Sequence, residues 1–542
     1  MFNENLTSVF CGVILIVAVI LSSACLTSAG ELNLNDEQNE AKQTAPNLQP
    51  EPSGNESANA NPLKIDIETA VLLAMENNRS LIVEKMNPDI TRTFEEDELA
   101  EFEPLLNAEI SPRRSVSDRL SRAGSSTESQ TVDNITGSIS LSKLFPTGTT
   151  LELQGSSSYT DSSLYSDTFT SNRLGVSVTQ ALLQGMDIRA NMARVHQARI
   201  DTLISEYELR GFTEILLEDV ESKFWDYALA QRQIEIYTDS LNLAEKQLNE
   251  AQERIKIGGL AEIELAASQA EVALRRENLI NARSNLAQER LNLLRLLNPT
   301  PNINWDREIT LQYRTSLPSI EIDDVEQHVQ VALKMRPDLN QARLQVKRGD
   351  LEVVRTKNGM LPKMDAFINF GKTGYADSFN RSTSNIDGDS YDVSFGLSFA
   401  YPPANRAARA GYQRAVMSRQ QQHKALDNLI QLVHVDVRSA YIEVTRTREQ
   451  IAATAATRNF QEEKLRSETE KFRVGKSTSL LVAQAQRDLL ASQIAEIEAF
   501  TNYLKALISL YRLEGSLLER RGILSPGAQS VTLDTQTSEA QN

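Results

Sequence analysis

Two hydrophobic periods divide this chain. Ile234, Tyr237, Leu241, Ala244, Leu248, Ala251 and Ile255 recur at alternating steps of three and four, the spacing of a coiled-coil seam rather than of a globular helix face. Leu265, Val272, Leu279, Leu286 and Leu293 then recur every seven residues, with Ala266, Ala273, Ile280, Ala287 and Leu294 in a second stripe beside them. A doubled stripe predicts a helix with more than one neighbour, and its many alanines allow close approach. Ala483, Leu490, Ile497, Leu504 and Tyr511 repeat the seven-residue period later. Between such segments the period changes to two. In SYDVSFGLSFAY, Tyr391, Val393, Phe395, Leu397, Phe399 and Tyr401 face one way while Asp392, Ser394, Gly396, Ser398 and Ala400 face the other. Six apolar or aromatic residues on one side of about ten is the pattern of a transmembrane β-strand. MDAFINF (364–370) is its companion across a polar loop, and LLNAEI, ITGSISLSKL, TTLELQGS and RLGVSVTQAL are weaker strands upstream.

The pattern is written twice. Residues 67–81 resemble 325–339, and Ile255-Lys256-Ile257-Gly258 pairs with Phe472-Arg473-Val474-Gly475 at an offset of 217 that also places Gln269 on Gln486 and Arg295 on Arg512. Units of this size mean a duplicated domain, not a solenoid. Each unit runs in one order: a helix (67–102; 323–358), β structure, a long helix (187–257; 404–474), a Gly turn and a returning helix (260–298; 477–515). At 1.5 Å per residue the long helices reach about 105 Å, and the two shorter ones stacked end to end match them. The polar stretch 111–135 reads as an insert, and the turn LFPTGTT (144–150) adds a hairpin to the first unit.

Residues 9–24 form a nearly unbroken apolar run at the position of an export signal, although the leader MFNENLTS has no Lys or Arg. Two cleavage readings stand: a small-residue site ending at Ala29, and a lipobox-like Ser22-Ser23-Ala24-Cys25 that would lipidate Cys25; an uncleaved anchor is the third possibility. The expected organisation is an export segment (1–30), a disordered linker (31–62), a first repeat (63–300), a linker (301–318), a second repeat (319–516) and a tail (517–542).

Composition then excludes whole classes. A net charge of −17 argues against nucleic-acid binding, which draws its affinity from basic patches. Both cysteines, Cys11 and Cys25, precede residue 30, so neither a disulfide framework nor a Cys metal site can exist beyond it. His196, His328, His423 and His434 read as solvated helix positions. Gly475-Lys476-Ser477 lacks the first Gly that a phosphate loop requires, five residues before Gly475, position 470 being Glu and 471 Lys. No enzyme, metal or cofactor is expected.

The duplicated order, the strand exits VSVTQALLQG (176–185) and SFAYPPANRAARA (398–410), and the paired turns IKIGGLAEIELAASQAEV and FRVGKSTSLLVAQAQRDL resemble the TolC-like outer membrane efflux family over about residues 63–516. The resemblance implies a mixed α+β membrane protein. Three chains, with about four strands each, would form one outer-membrane β-barrel continued by a coiled-coil tunnel through the periplasm. It implies a passive exit duct for an efflux or type I secretion system, with a periplasmic adaptor and an inner-membrane RND, ABC or MFS transporter as partners. Strands too few to close a barrel alone fit that oligomer, because open edges are not tolerated in lipid. The alternative is a periplasmic coiled-coil adaptor without a barrel.

Three groups of residues follow from the resemblance. The tips Lys256, Ile257, Gly258, Gly259 and Arg473, Val474, Gly475, Lys476 would meet the adaptor. Tyr391, Val393, Phe395, Leu397, Phe399 and Tyr401 would face lipid. Glu264 stands where such channels place an acidic constriction, and Glu262, about 200° away on a helix, cannot share its direction.

Overall fold

A computed structural model describes residues 62–120, 124, 127–163, 167–257, 262–297, 305–312, 323–524 and 531. The export segment with Cys25, the linker 31–61, Gly258 and Gly259, most of the segment between repeats and the tail beyond 524 except Val531 lie outside these residues.

The chain divides into two units. One holds residues 94–198 and 349–419, the other 56–93, 199–348 and 420–542. Two short strands, β1 Leu63–Ile65 and β6 Ile309–Leu311, pair in parallel in the second unit. The first unit is built on a six-stranded antiparallel meander. Its strands are β2 Leu105–Leu120, β3 Thr127–Leu144, β4 Thr149–Ser162, β5 Phe169–Ala181, β7 Lys363–Ala376 and β8 Tyr391–Ala400. They are hydrogen-bonded in the order β2-β3-β4-β5-β7-β8.

Six strands replace the expected four. The stretch 111–135 is no insert: most of it lengthens β2 and β3, with Ser111 opposite Thr136 and Val116 opposite Thr131. Alternating Ser, Arg, Asp and Thr gave no apolar signal there, since these strands are held by their ladder rather than by a buried face. The hairpin at 144–150 is present. Gly148 sits at φ +75°, and a Cβ there would lie 2.1 Å from the Gly185 carbonyl oxygen, so only glycine fits where this turn meets the strand exit.

The long helices run Ala193–Lys256 and Arg406–Arg473, and the returning helices Ile263–Leu297 and Ser479–Leu513, within a few residues of expectation. Ala244, Ala251, Val272, Leu279 and Leu293 are buried, as are Leu490, Leu504 and Tyr511, so the seven-residue period does mark the packed seam. In the second stripe Leu294 is buried, but Ala266, Ala273, Ile280 and Ala287 are exposed.

The helices that open each repeat are broken where continuous ones were expected. The first splits into Ile67–Asn77, Arg79–Glu84 and Asn87–Leu99, the second into Val325–Met335 and Pro337–Asn358. Asn78 and Arg336 hold equivalent positions, and both turn to extended ψ near 120°. Arg336 precedes Pro337, whose ring disfavours helical geometry in the residue before it. Asn78 does the same job with its side chain, accepting from the Leu81 amide at 3.1 Å and donating to the Leu296 carbonyl at 3.0 Å.

The core of the second unit gathers distant segments: Ile65, Leu81, Leu217, Phe224, Leu294, Val329, Val433, Leu507 and Leu517 belong to one cluster. His328 is not solvated but 3% exposed, its Nδ1 bonded to the buried Glu514 carboxylate. Helical periodicity alone could not distinguish this position from a surface one.

Beside that core, Arg210 is 1% exposed and binds the Glu519 carboxylate at 2.5 Å and the Gly515 carbonyl at 3.0 Å. Glu214 approaches its Nε at 3.4 Å. One guanidinium faces two carboxylates, and burial, the larger influence, pushes Glu214 up to about 8. An acid raised in the folded state holds its proton where the unfolded chain has lost it. Stability therefore falls as pH climbs from about 4.5 through about 8. Glu214→Gln should remove this slope, on the order of a few kcal/mol across the window. Melting followed by circular dichroism at pH 6 and pH 9 should show the variant gaining on wild type at pH 9; parallel pH dependences would refute the assignment.

Candidate functional site

The strand register aligns side chains into two contrasting faces. Leu151 lies opposite Val178, Val178 opposite Ile368 and Ile368 opposite Phe395. One row along, Leu153, Val176, Phe370 and Val393 align in the same way. On the other side of β4, Leu141 joins Leu153 and Leu106, and Ala108 faces Ile139. An apolar stripe thus crosses all six strands. Ile135 and Ile139 within it are buried, whereas Leu106, Ile110, Val176, Ile368, Phe370, Val393, Phe395, Leu397 and Phe399 are exposed. The stripe ends at the row Arg114, Asp133 and Asp161, where Arg114 and Asp133 pair at 3.2 Å. Along β8 it covers about 27 Å from Tyr391 to Phe399 at 3.4 Å per residue. Tyr401 is exposed just past the strand end.

The opposite face is polar. Asn107, Glu109, Ser138, Ser140, Glu152, Gln154, Ser177, Asn369 and Ser394 occupy it. Ser177 donates to Asn369 Oδ1 at 2.6 Å and Asn369 donates to Ser394 at 3.1 Å. Arg173 clamps Asp392 over Gly371, where a Cβ would lie 2.3 Å from the guanidinium.

The second candidate site is in the other unit, at the two hairpin turns. The second turn is a complete Schellman cap: Gly475 is at φ +74°, the Lys476 amide reaches the Lys471 carbonyl at 2.8 Å and the Gly475 amide reaches the Phe472 carbonyl at 3.0 Å. Glu468 accepts from Lys471 at 2.7 Å and from Ser477 at 2.8 Å. These bonds, Lys471 foremost, hold its carboxyl below the usual range. Thr478 caps the next helix through the Leu481 amide. At the first turn Lys256 pairs with Glu253 at 2.5 Å. The apolar side chains at the turns are left outside: Ile257 is 81% and Val474 65% exposed. Lys256, Arg473 and Lys476 are exposed or half-exposed beside them.

Just above the turns the hairpins enclose a cleft of about 490 Å³, lined by Glu250, Arg254, Glu264, Glu271, Phe472 and Arg487 among others. Arg254 lies over the Phe472 ring at 5.7 Å. Glu264 is half-buried here and accepts a hydrogen bond from the Ser479 hydroxyl of the second hairpin, while Glu262 is exposed. Ser479 occupies the second-repeat stretch that lacks acids, so the asymmetry of the repeats supplies Glu264 with a donor. Sequence reasoning missed this pair because the offset of 217 matches Ser479 to Glu262 and Leu481 to Glu264, and no local pattern points from Glu264 to Ser479.

A coiled-coil hairpin pair and a two-faced sheet built from a duplicated chain define a fold, and comparison supplies the family. The profile of the outer membrane efflux protein family matches residues 106–299 and 328–516. The chain belongs to the outer membrane efflux protein family. Among solved structures, this efflux protein is similar to a membrane protein from Pseudomonas aeruginosa at 18% identity, with TM-score 0.63, over 84% of this chain and 91% of that one. It is similar to the Campylobacter jejuni CmeC outer membrane channel at 13% identity, TM-score 0.62, over 83% and 86%. It is also similar to the outer membrane protein VceC of Vibrio cholerae at 15%, TM-score 0.59, over 83% and 96%. Identities this low establish the shared fold. A search among curated proteins finds no sequence match. The efflux protein is an outer-membrane exit channel component that spans into the periplasm, and the family consists of channels, not enzymes.

Proposed function

We infer that three copies of this chain assemble into the exit duct of a tripartite efflux system, taking substrate passively from an inner-membrane pump and a periplasmic adaptor. The observation that carries this is the sheet: one face apolar across six strands, the other polar, and an open edge at each end. Lipid accepts only closed barrels, so the apolar face meets lipid, the polar face lines water, and other copies close the edges. Leu432, Val435, Ile442 and Phe460, exposed along Arg406–Arg473, offer helical surface for the same neighbours. Fractionation and native gels test this reading. Trimers should be recovered from the outer membrane; soluble periplasmic monomer would instead favour an adaptor. Cys25 is the lipidation candidate in this reading, and mass spectrometry of the mature amino terminus decides it: an unmodified start at Gly30 rejects lipidation.

Glu264 serves as a constriction in this duct. Its carboxylate sits between the hairpins, held by Ser479, and three copies around one axis would favour cations. In planar bilayers, Glu264→Gln should reduce cation selectivity and multivalent-cation block, while Glu262→Gln should do neither. Equal reversal potentials for wild type and Glu264→Gln would remove the constriction role.

A further inference from the structure

The duplicated plan supplies two strands per repeat. In this chain those four are β2, β5, β7 and β8: the offset that relates residues 67–81 to 325–339 also carries Pro104-Leu105-Leu106-Asn107-Ala108 onto Pro362-Lys363-Met364-Asp365-Ala366, so β2 matches β7, and the offset of 217 carries β5 onto β8. β3 and β4 form the hairpin added between the first two. Were that hairpin outside the membrane sheet, β2 would pair with β5. β5 pairs with β4 instead. β3 pairs with it continuously from Val132 opposite Ser162 to Leu144 opposite Thr150, and β2 pairs with β3 from Leu105 to Leu120. A neighbouring copy can therefore reach only β2.

The faces agree with this topology. The apolar stripe does not stop at β4 but continues through Leu141 and Ile139 to Leu106, Ala108 and Ile110 on β2. The polar face continues likewise through Ser140 and Ser138 to Asn107 and Glu109. Strands hanging in water beside a smaller barrel would have no use for that alternation. Direction agrees too. In a six-stranded meander the first and last strands are antiparallel, so β8 of one copy meets β2 of the next with the standard antiparallel ladder. Leu105–Ser111, below Pro112, is proline-free, so every residue of that stretch keeps an amide for a ladder.

We propose that β2 of each copy pairs with β8 of the next, so that three chains close an eighteen-stranded barrel instead of the twelve-stranded one that two strands per repeat would give. The proposal rests on the trimeric reading above and adds the identity of the joining edges. Barrel diameter grows with strand number: at a tilt near 40° the backbone diameter is about 36 Å for eighteen strands and about 24 Å for twelve. At eighteen strands side chains leave an open aqueous lumen, so the outer-membrane segment would not be the part of the duct that restricts cargo.

Cysteine pairs on the polar face test the seam. The native cysteines both precede residue 30, so wild type is the background. Asn107→Cys, Glu109→Cys or Ser111→Cys would each be combined with Ser394→Cys or Ser398→Cys, and Gln154→Cys or Ser156→Cys on β4 would be combined with the same β8 partners. Each variant is first checked for trimers on native gels. Oxidation in isolated outer membranes should convert most of at least one β2–β8 pair into covalent dimers and trimers and leave every β4–β8 pair monomeric on denaturing gels. Cross-linking of β4 to β8, or trimers that link at neither edge, would overturn the eighteen-stranded closure while leaving the trimer standing. Absence of trimers would overturn the trimeric reading and this proposal together. Electron microscopy of the wild-type trimer gives an independent measure, and a barrel near 24 Å across would reject the proposal.

Discussion

Replacing Phe395 with Arg should cost about 2–4 kcal/mol of assembly stability, the penalty for a cation on the lipid face of a barrel near the bilayer midplane. Phe395 is 82% exposed in the isolated chain, and it is central on β8, between Val393 and Leu397. In a water-soluble sheet the same change would be nearly neutral or favourable, since it would remove an exposed aromatic. The sign of the effect therefore separates lipid from water. Leu397→Arg should behave similarly, and Ser394→Arg on the opposite face should be tolerated. Urea titration of trimers in lipid vesicles measures this; equal midpoints for Phe395→Arg and Ser394→Arg would mean the stripe does not face lipid.

Converting Ile257 and Val474 together to Asp should abolish efflux while leaving trimers in the outer membrane. Both side chains are exposed beyond the helix ends, so neither contributes to the packing of its own hairpin, and the cap at Gly475 does not depend on the identity of residue 474. Their removal can be felt only by something that binds the tips. Buried apolar side chains contribute roughly 1.5–3 kcal/mol each. Losing two per chain, and desolvating two carboxylates per chain instead, should weaken adaptor binding by several orders of magnitude. Substrate accumulation in cells and adaptor cross-linking report the effect. Normal efflux with both substitutions present would remove the tips from the docking surface.

The helical rods are legible in the sequence because a seven-residue period held across many turns belongs to a helix packed along its whole length, and Ala244, Val272, Leu490 and Leu504 are buried accordingly. β8 was equally legible, since every second residue of it is apolar. β2 and β3 were half-visible. Their lower parts carry Leu106, Ile110, Ile139 and Leu141, but their upper parts are Ser, Arg, Asp and Thr on both faces, and only the ladder with a neighbouring strand reveals them as strands. The break at Arg336 was available in the following Pro337. The break at Asn78 was not, because it depends on a side-chain cap and on a carbonyl at Leu296, which no local pattern encodes. The partnership of Glu264 with Ser479, like that of His328 with Glu514, joins residues far apart in sequence, and such pairs follow from the fold rather than preceding it.

The core cluster that runs from Ile65 to Leu518 governs the order of events in the life of the polypeptide. Leu81 shares that cluster with Leu507 and Leu517, and the buried Arg210 reaches across to the carbonyl of Gly515 and the carboxylate of Glu519. The first repeat therefore cannot finish its interior until the end of the second repeat has been synthesised. Contacts separated by several hundred residues close slowly, because the loop entropy must be met before the contacts form. Until then the apolar stripes of long, incomplete hairpins stay open to association with other chains. A chain built this way is open to its own copies throughout that interval. The duplicated halves, alike as they are, share one interior within a single chain.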